Sequence, residues 1–140
     1  MWLKDGKLKQ APGTTDPGLF YLQNQCNSNG TAIVKPGFYK GLWKIGIHKT
    51  YEALVRVSQV TVIRDYNKDG KLDYNSDLEE TGMFGINCHH AGEDSIQIDK
   101  WSAGCQAFKR LADFNEFMKN CKSSANKLLD YALLLESDIK

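Results

Sequence analysis

The chain has almost no excess charge of either sign and no long apolar run. Its 18 Lys and Arg residues balance 17 Asp and Glu residues, so the formal net charge is +1 in 140 residues. This balance gives no bulk attraction to nucleic acid or to an anionic membrane surface. No apolar segment approaches the roughly 20 residues that cross a bilayer. Residues 1–6 also lack the apolar core of a secretory signal. We therefore expect no nucleic-acid partner, no membrane span and no signal peptide in this chain.

The four cysteines lack metal-binding or redox spacing. No two of them form a Cys-x-x-Cys pair, which disfavours zinc ribbons and thioredoxin-like motifs. For Cys26, Cys88 and Cys121 two interpretations remain open, namely buried thiols or a disulfide between two of them. A length of 140 residues with 41% hydrophobic side chains predicts one domain, residues 1–140, with one core.

Most of the secondary-structure signals are those of strands. Residues 31–34, 41–48 and 54–64 are rich in branched and aromatic side chains, and we interpret 54–64 as one long or bent strand. The clearest helix has Asp113 as its predicted N-cap and Glu116 three residues later. Its apolar stripe contains Phe114, Phe117, Met118 and Cys121. Residues 131–135 fit a strand or a second helix. The predicted fold class is mainly β, a sandwich or half-barrel with one or two packed helices and long loops.

Residues 85–108 carry the candidate chemistry. They contain His89, His90 and the tetrad Ser102-Ala-Gly-Cys105. A thiolate can attack a carbonyl, and an imidazole can take the thiol proton and later protonate the leaving group. Gly104 allows close approach and frees the backbone to aim N–H groups at an oxyanion. The alternative is that Cys105 is a small buried hydrophobic residue.

This arrangement resembles the catalytic domain of the L,D-transpeptidases of bacterial peptidoglycan. That family has a His near the end of a strand, then a linker, then Ser/Thr-x-Gly-Cys. Residues 84–89 resemble the His-bearing strand and residues 102–105 resemble the nucleophile motif. Ala103 stands where His is common in the family, and Gln106-Ala107 replaces an aliphatic residue followed by Arg. The resemblance implies an L,D-transpeptidase-like fold and favours a strand over 131–135.

The resemblance also implies roles for individual residues. Cys105 is the expected nucleophile and His89 the expected base, because His89 aligns with the family His while His90 faces the other side of a strand. Ser102 is expected to orient the imidazole. The N–H groups of Cys105 and of Gly104 or Ala103 are expected to stabilise the oxyanion. The candidate substrate-binding residues are His90, Trp101 and Gln106. His48, a lone His at a strand end, is interpreted as structural.

The function implied is that of a cysteine-dependent enzyme of peptidoglycan stem peptides, acting by transpeptidation or by hydrolysis as a carboxypeptidase or endopeptidase. The chemistry needs no cofactor, and we expect a monomer that acts at the bacterial cell wall. Because this chain has no signal peptide, it is expected to be trimmed, released by a phage or injected. Two alternatives remain. One is a sortase-like or other cysteine peptidase acting on a protein, with Arg110 as an oxyanion donor. The other is a non-catalytic, calcium-stabilised cell-wall binding module.

A second motif lies at residues 65–73. Oxygen-bearing side chains at alternate positions followed by Gly70 resemble the first half of an EF-hand or dockerin calcium loop. The candidate ligands are Asp65, Asn67, Asp69, the Lys71 carbonyl and Asp73. The twelfth position is Ser76, with Asp77 next to it. A metal-free hairpin turn is the equally open alternative, because Asn, Asp and Gly favour left-handed backbone without a cation.

Overall fold

The computed structural model describes residues 1–139, and its fold is mainly β, as predicted. The strands are β1 (Trp2–Lys4), β2 (Lys7–Lys9), β3 (Gly13–Thr14), β4 (Thr31–Val34), β5 (Gly37–His48), β6 (Tyr51–Arg56), β7 (Val60–Asp65), β8 (Glu79–Gly82), β9 (Cys88–His90), β10 (Gln106–Phe108) and β11 (Leu129–Leu133). The α-helices are α1 (Leu19–Gln23) and α2 (Leu111–Lys122). Two 3₁₀ segments lie at Asp99–Trp101 and Glu136–Asp138.

The strands form one large curled sheet and two smaller sheets. The large sheet has the order β11-β5-β6-β9-β10-β3 and forms a half-barrel. All its neighbouring strands are antiparallel except β9 and β10, which are parallel. A second sheet has the order β4-β7-β8, and β1 pairs with β2 as a separate hairpin. The predicted strand at the C-terminal end is confirmed as β11.

Residues 54–64 are not one strand, contrary to the sequence interpretation. The chain leaves β6 after Arg56 and enters β7 at Val60, and these strands belong to different sheets. Apolar residues occur on both sides of the junction, since Leu54 in β6 and Val60, Val62 and Ile63 in β7 are all buried. Periodicity alone therefore could not reveal the change of sheet.

Helix α2 contributes its predicted apolar stripe to the core. All four stripe residues are buried, together with side chains of both larger sheets. The predicted N-cap is wrong, because Arg110 occupies that position and Asp113 lies in the first turn. The Arg110 Nε atom pairs with Asp113 Oδ2 at 2.9 Å. A carboxylate in the first turn also interacts favourably with the positive end of the helix dipole.

The cysteines are free thiols, so the disulfide alternative is not what the structure contains. Cys88 and Cys121 are buried, which confirms the buried-thiol interpretation for both, whereas Cys26 is exposed. No helix within residues 1–139 has the length and apolar character needed to cross a membrane.

Candidate active site

The parallel pairing of β9 with β10 brings the two predicted catalytic residues to the same face of the large sheet. In this register Gln106 lies beside Cys88 and Ala107 lies beside His89. The Gln106 N–H donates to the Asn87 carbonyl at 2.9 Å, which sets Cys105, one residue before β10, at the level of Asn87. Alternate residues of a strand share a face. Cys105, Asn87 and His89 therefore lie on one face, and the small side chain of Ala107 occupies the position next to His89.

The turn that carries Cys105 is held by Ser102. The buried Ser102 hydroxyl donates to the Cys105 carbonyl at 2.8 Å and accepts the Gly104 N–H at 3.1 Å. The Ser102 carbonyl accepts the Gly18 N–H at 2.9 Å. The expectation that Ser102 orients the imidazole is thus wrong, because both of its oxygens hold backbone of the turn and of α1.

Gly104 is required for packing rather than for substrate approach. Its φ is +128°, and a Cβ built on it would lie 2.5 Å from the Ala32 carbonyl oxygen. Its N–H is already bonded to Ser102, which removes it as an oxyanion donor. The Cys105 N–H has no acceptor within residues 1–139, so it stays available for that role.

The half-buried Cys105 thiol contacts backbone of the segment that precedes β9. Its Sγ donates to the Gly85 carbonyl at 3.3 Å and accepts the Asn87 N–H at 3.5 Å. Burial raises the pKa of Cys105, while the Asn87 N–H and the nearby Lys49 ammonium act in the lowering direction. The resting side chain is therefore a neutral thiol that needs a base at the moment of attack, rather than a preformed thiolate.

His89 has the protonation state that a general base requires. It is 2% exposed, and its Nδ1–H donates to the His90 carbonyl at 2.9 Å. Burial lowers the pKa of His89 to about 4, and the nearby Lys49 ammonium acts in the same direction. The imidazole is therefore neutral near pH 7. Because Nδ1 carries the proton, Nε2 carries the lone pair that can accept one.

A second histidine stacks on the first. The rings of His48 and His89 are 4.5 Å apart between centroids, with an interplanar angle of 7°. Asn87 fixes the state of His48: its Oδ1 accepts the Arg56 N–H at 3.1 Å, so its Nδ2 faces His48 Nδ1, also at 3.1 Å. Since Nδ2 is a donor, His48 Nδ1 is an acceptor and that ring is neutral too. Burial lowers the pKa of His48, as this state requires.

His48, which the sequence analysis interpreted as structural, therefore lies in direct contact with His89 in the candidate site. Asn87 is a site residue that the sequence reasoning missed. The available signal was its position two residues before His89, which puts both side chains on one face of a strand. His48 comes from the β5–β6 hairpin, and only the pairing of β6 with β9 brings it near.

The three predicted substrate-binding residues are not gathered beside Cys105. His90 faces α2, with its ring 4.6 Å from that of Tyr51 and 5.3 Å from that of Phe114. Gln106 is buried, and its amide bonds the Tyr131 hydroxyl and the carbonyls of Thr15 and Gly104. Trp101 is 44% exposed in the 3₁₀ segment that precedes the Cys105 turn, and its indole lies next to Gly92.

The predicted calcium loop lies on another part of the molecule, between β7 and β8. Asp65 ends β7 and is fully buried, whereas Asn67, Asp69 and Lys71 are exposed and Asp73 is half-buried. Within the described chain, no three His, Cys, Asp or Glu side chains lie close enough to hold a metal ion by themselves.

Comparison with known proteins yields no relative: no family model, curated protein or solved structure matches this chain. The site must therefore be interpreted from its own geometry. A half-buried thiol, a neutral imidazole on the same sheet face and an unpaired N–H at the thiol-bearing residue are the groups that thiol-dependent acyl transfer needs.

Proposed function

We propose that this protein is a cysteine-dependent enzyme of peptidoglycan stem peptides, of the L,D-transpeptidase type. The observation that supports the chemistry best is the parallel register of β9 and β10, with Cys105 and a neutral His89 on one face. The substrate class is supported by the resemblance of Ser102-Ala-Gly-Cys105 and of the His89 strand to that family.

In the proposed reaction His89 Nε2 takes the proton of the Cys105 thiol as Sγ attacks a peptide carbonyl carbon. A carbon–sulfur bond forms, and the carbonyl oxygen becomes an oxyanion that the Cys105 N–H stabilises. Collapse of this intermediate breaks the carbon–nitrogen bond, and the imidazolium returns its proton to the leaving amine. The resulting thioester is then attacked by water, which gives hydrolysis, or by an amine, which gives transpeptidation.

His48 and Asn87 have a positioning role in this proposal. The parallel stack on His48 restricts rotation of the His89 ring, and Asn87 holds His48 while its own N–H contacts Cys105 Sγ. A contiguous set of contacts therefore joins the nucleophile to the base through residues of three elements. Such support is what keeps catalytic groups within reach of each other.

The geometry favours this reaction over a sortase-like peptidase. A sortase-like mechanism needs an arginine beside the nucleophile, and the candidate was Arg110. That residue is paired with Asp113 at the start of α2. Helix α2 packs against the face on which His90 lies, opposite to His89. A non-catalytic module remains the contrasting proposal, since a raised thiol pKa also fits an inert buried cysteine.

The test is incubation of purified muropeptides, a tetrapeptide and a cross-linked dimer, followed by mass spectrometry. The expected result is loss of a terminal D-amino acid, a cut cross-link or an exchanged residue, and the product mass names the reaction. Cys105→Ala and His89→Ala are expected to reduce turnover by at least about 10³-fold, since a covalent nucleophile and its base are removed.

Two matched variants serve as controls. Cys26→Ala removes an exposed thiol and His90→Gln removes an imidazole on the opposite face, and both are expected to keep turnover. Turnover by Cys105→Ala close to that of the unmodified protein would overturn the mechanism. If no muropeptide changes and Cys105 also resists alkylation, the non-catalytic module becomes the better explanation.

A further inference from the structure

A buried carboxylate oxygen without a partner lies at the start of the β7–β8 connection, residues 66–78. Asp65 is 0% exposed. Its Oδ2 accepts the Asp73 N–H at 3.1 Å, which closes the loop across eight residues. Its Oδ1 makes no hydrogen bond of normal geometry within residues 1–139, although the Asn67 N–H lies close to this carboxylate. Burying a carboxylate oxygen unpaired is costly, and a native structure rarely contains one without a reason.

The residues that follow bring more oxygens to the same loop. Asn67 Oδ1 accepts the Asp69 N–H at 3.1 Å, and Asp69 Oδ1 accepts the Lys71 N–H at 2.8 Å. Lys68 and Gly70 have φ of +60° and +78°, which curl the chain tightly between them. The spacing Asp-x-Asn-x-Asp-Gly is that of a calcium loop, in which alternate side chains converge and Gly allows the sharp turn.

The acidic side chains do not form a cluster that could bind a metal alone. A loop of the EF-hand type does not need one, because amide, backbone carbonyl and water oxygens supply about half of its ligands. The exposed side chains of Asn67 and Asp69 can also rotate toward a cation without unpacking the core. Asp65, fixed at the end of β7, supplies the buried anchor.

We propose that residues 65–73 bind a calcium ion through the side chains of Asp65, Asn67 and Asp69, the Lys71 carbonyl, and Asp73 directly or through water. The orphaned Asp65 Oδ1 is the observation that separates this loop from a metal-free turn. The inference does not depend on the proposed enzymatic function.

The loop lacks the bidentate carboxylate that closes a high-affinity site. Ser76 stands at the twelfth position, and the adjacent Asp77 accepts the Tyr66 hydroxyl at 3.2 Å. Sites with fewer charged ligands bind calcium weakly, with Kd of about 10⁻⁴–10⁻³ M as in extracellular modules. Such a site is filled where calcium is at millimolar concentration.

The cation would support the element to which the Cys105 turn is attached. Gly70 packs on α1, since a Cβ there would lie 3.0 Å from Gln23 Nε2 and 3.2 Å from Leu19 Cδ1. The residue before α1, Gly18, donates its N–H to the Ser102 carbonyl. Ordering of the loop is therefore expected to stabilise α1 and its contact with that turn.

The test is thermal unfolding of the whole chain in about 10 mM CaCl₂ against NaCl of equal ionic strength with a chelator. At this concentration a site of the expected affinity raises the Tm by about 4–8 °C. Calorimetric titration with CaCl₂ should give one site per chain. The double variant D69N/D73N puts an amide oxygen in place of each carboxylate oxygen that accepts the Lys71 or Asn75 N–H, so it is expected to fold and to lose the shift.

The control is Asp94→Asn, which removes one charge at an exposed ion pair with Lys109 and is expected to keep the full shift. A Tm shift below about 1 °C for the unmodified protein, or an equal shift in D69N/D73N, would overturn the inference. An equal shift with MgCl₂ would overturn the assignment to calcium, since magnesium demands a tighter octahedral site.

Discussion

The buried, neutral state of His89 makes the stability of this protein depend on pH in a way that can be calculated. Its pKa is about 4 in the folded protein and 6.5 in an unfolded chain. Below pH 6.5 the unfolded state therefore binds a proton that the folded state excludes. The stabilisation by neutral His89 is fully present above pH 6.5 and is lost as the pH falls toward 4.

The size of the effect follows from the difference between the two pKa values. Each pKa unit corresponds to about 1.4 kcal/mol, so the complete loss below pH 4 is about 3 kcal/mol. Between pH 7.5 and pH 5.0 the loss is about 2 kcal/mol, because the folded-state group is still largely neutral at pH 5.0. His48 acts in the same direction, since burial lowers its pKa as well.

The assay is urea unfolding at pH 7.5 and pH 5.0 for the unmodified protein, His89→Gln and His90→Gln. His89→Gln removes the titrating group, so its free energy of unfolding should fall by about 2 kcal/mol less than that of the unmodified protein. His90→Gln keeps His89, so its free energy of unfolding should show the full contribution of His89 to the acid-induced loss. Equal acid-induced losses in the unmodified protein and in His89→Gln would refute the reasoning, and with it the neutral buried base.

Two further predictions concern the Cys105 turn. Gly104→Ala should lower the free energy of unfolding by about 2–4 kcal/mol, because a side chain at φ +128° is strained and would overlap the Ala32 carbonyl. The control is Gly85→Ala, where a Cβ meets nothing within 4 Å, and it should lower the free energy of unfolding by less than about 1 kcal/mol. Equal losses for the two variants in chemical denaturation would contradict the packing argument. The rate at which iodoacetamide labels Cys105, followed by peptide mass spectrometry, should have a pH midpoint above that of a cysteine in a short peptide. Lys49→Met should raise this midpoint further, because a nearby positive charge is lost. A midpoint below the peptide value would show that Cys105 rests as a thiolate.

Local sequence patterns were sufficient for several elements of the fold. The stripe of four apolar residues predicted α2 and its buried face, because helical spacing puts those side chains on one side whatever they pack against. Branched and aromatic residues marked β4, β5 and β7 for a similar reason. Residues 66–73 of the predicted calcium loop lie in the irregular connection between β7 and β8, because Asn, Asp and Gly favour turn and loop conformations.

Cys105 and His89 lie within one short span of the sequence, so both could be predicted from it as candidate catalytic residues. It could not determine their partners. His48 is far from His89 in sequence and reaches it only through the pairing of β5, β6 and β9. The same holds for Gly104. The sequence shows that its backbone can adopt unusual φ values, but a glycine is required there because the Ala32 carbonyl of another sheet lies where a Cβ would be. The sequence already indicated Asp65 as a candidate calcium ligand, but only the fold shows that its side chain is buried with one oxygen unpaired. Local propensities depend on neighbouring residues along the chain. These contacts, and the pKa values that they set, depend instead on which sequence-distant segments the packed sheets place side by side.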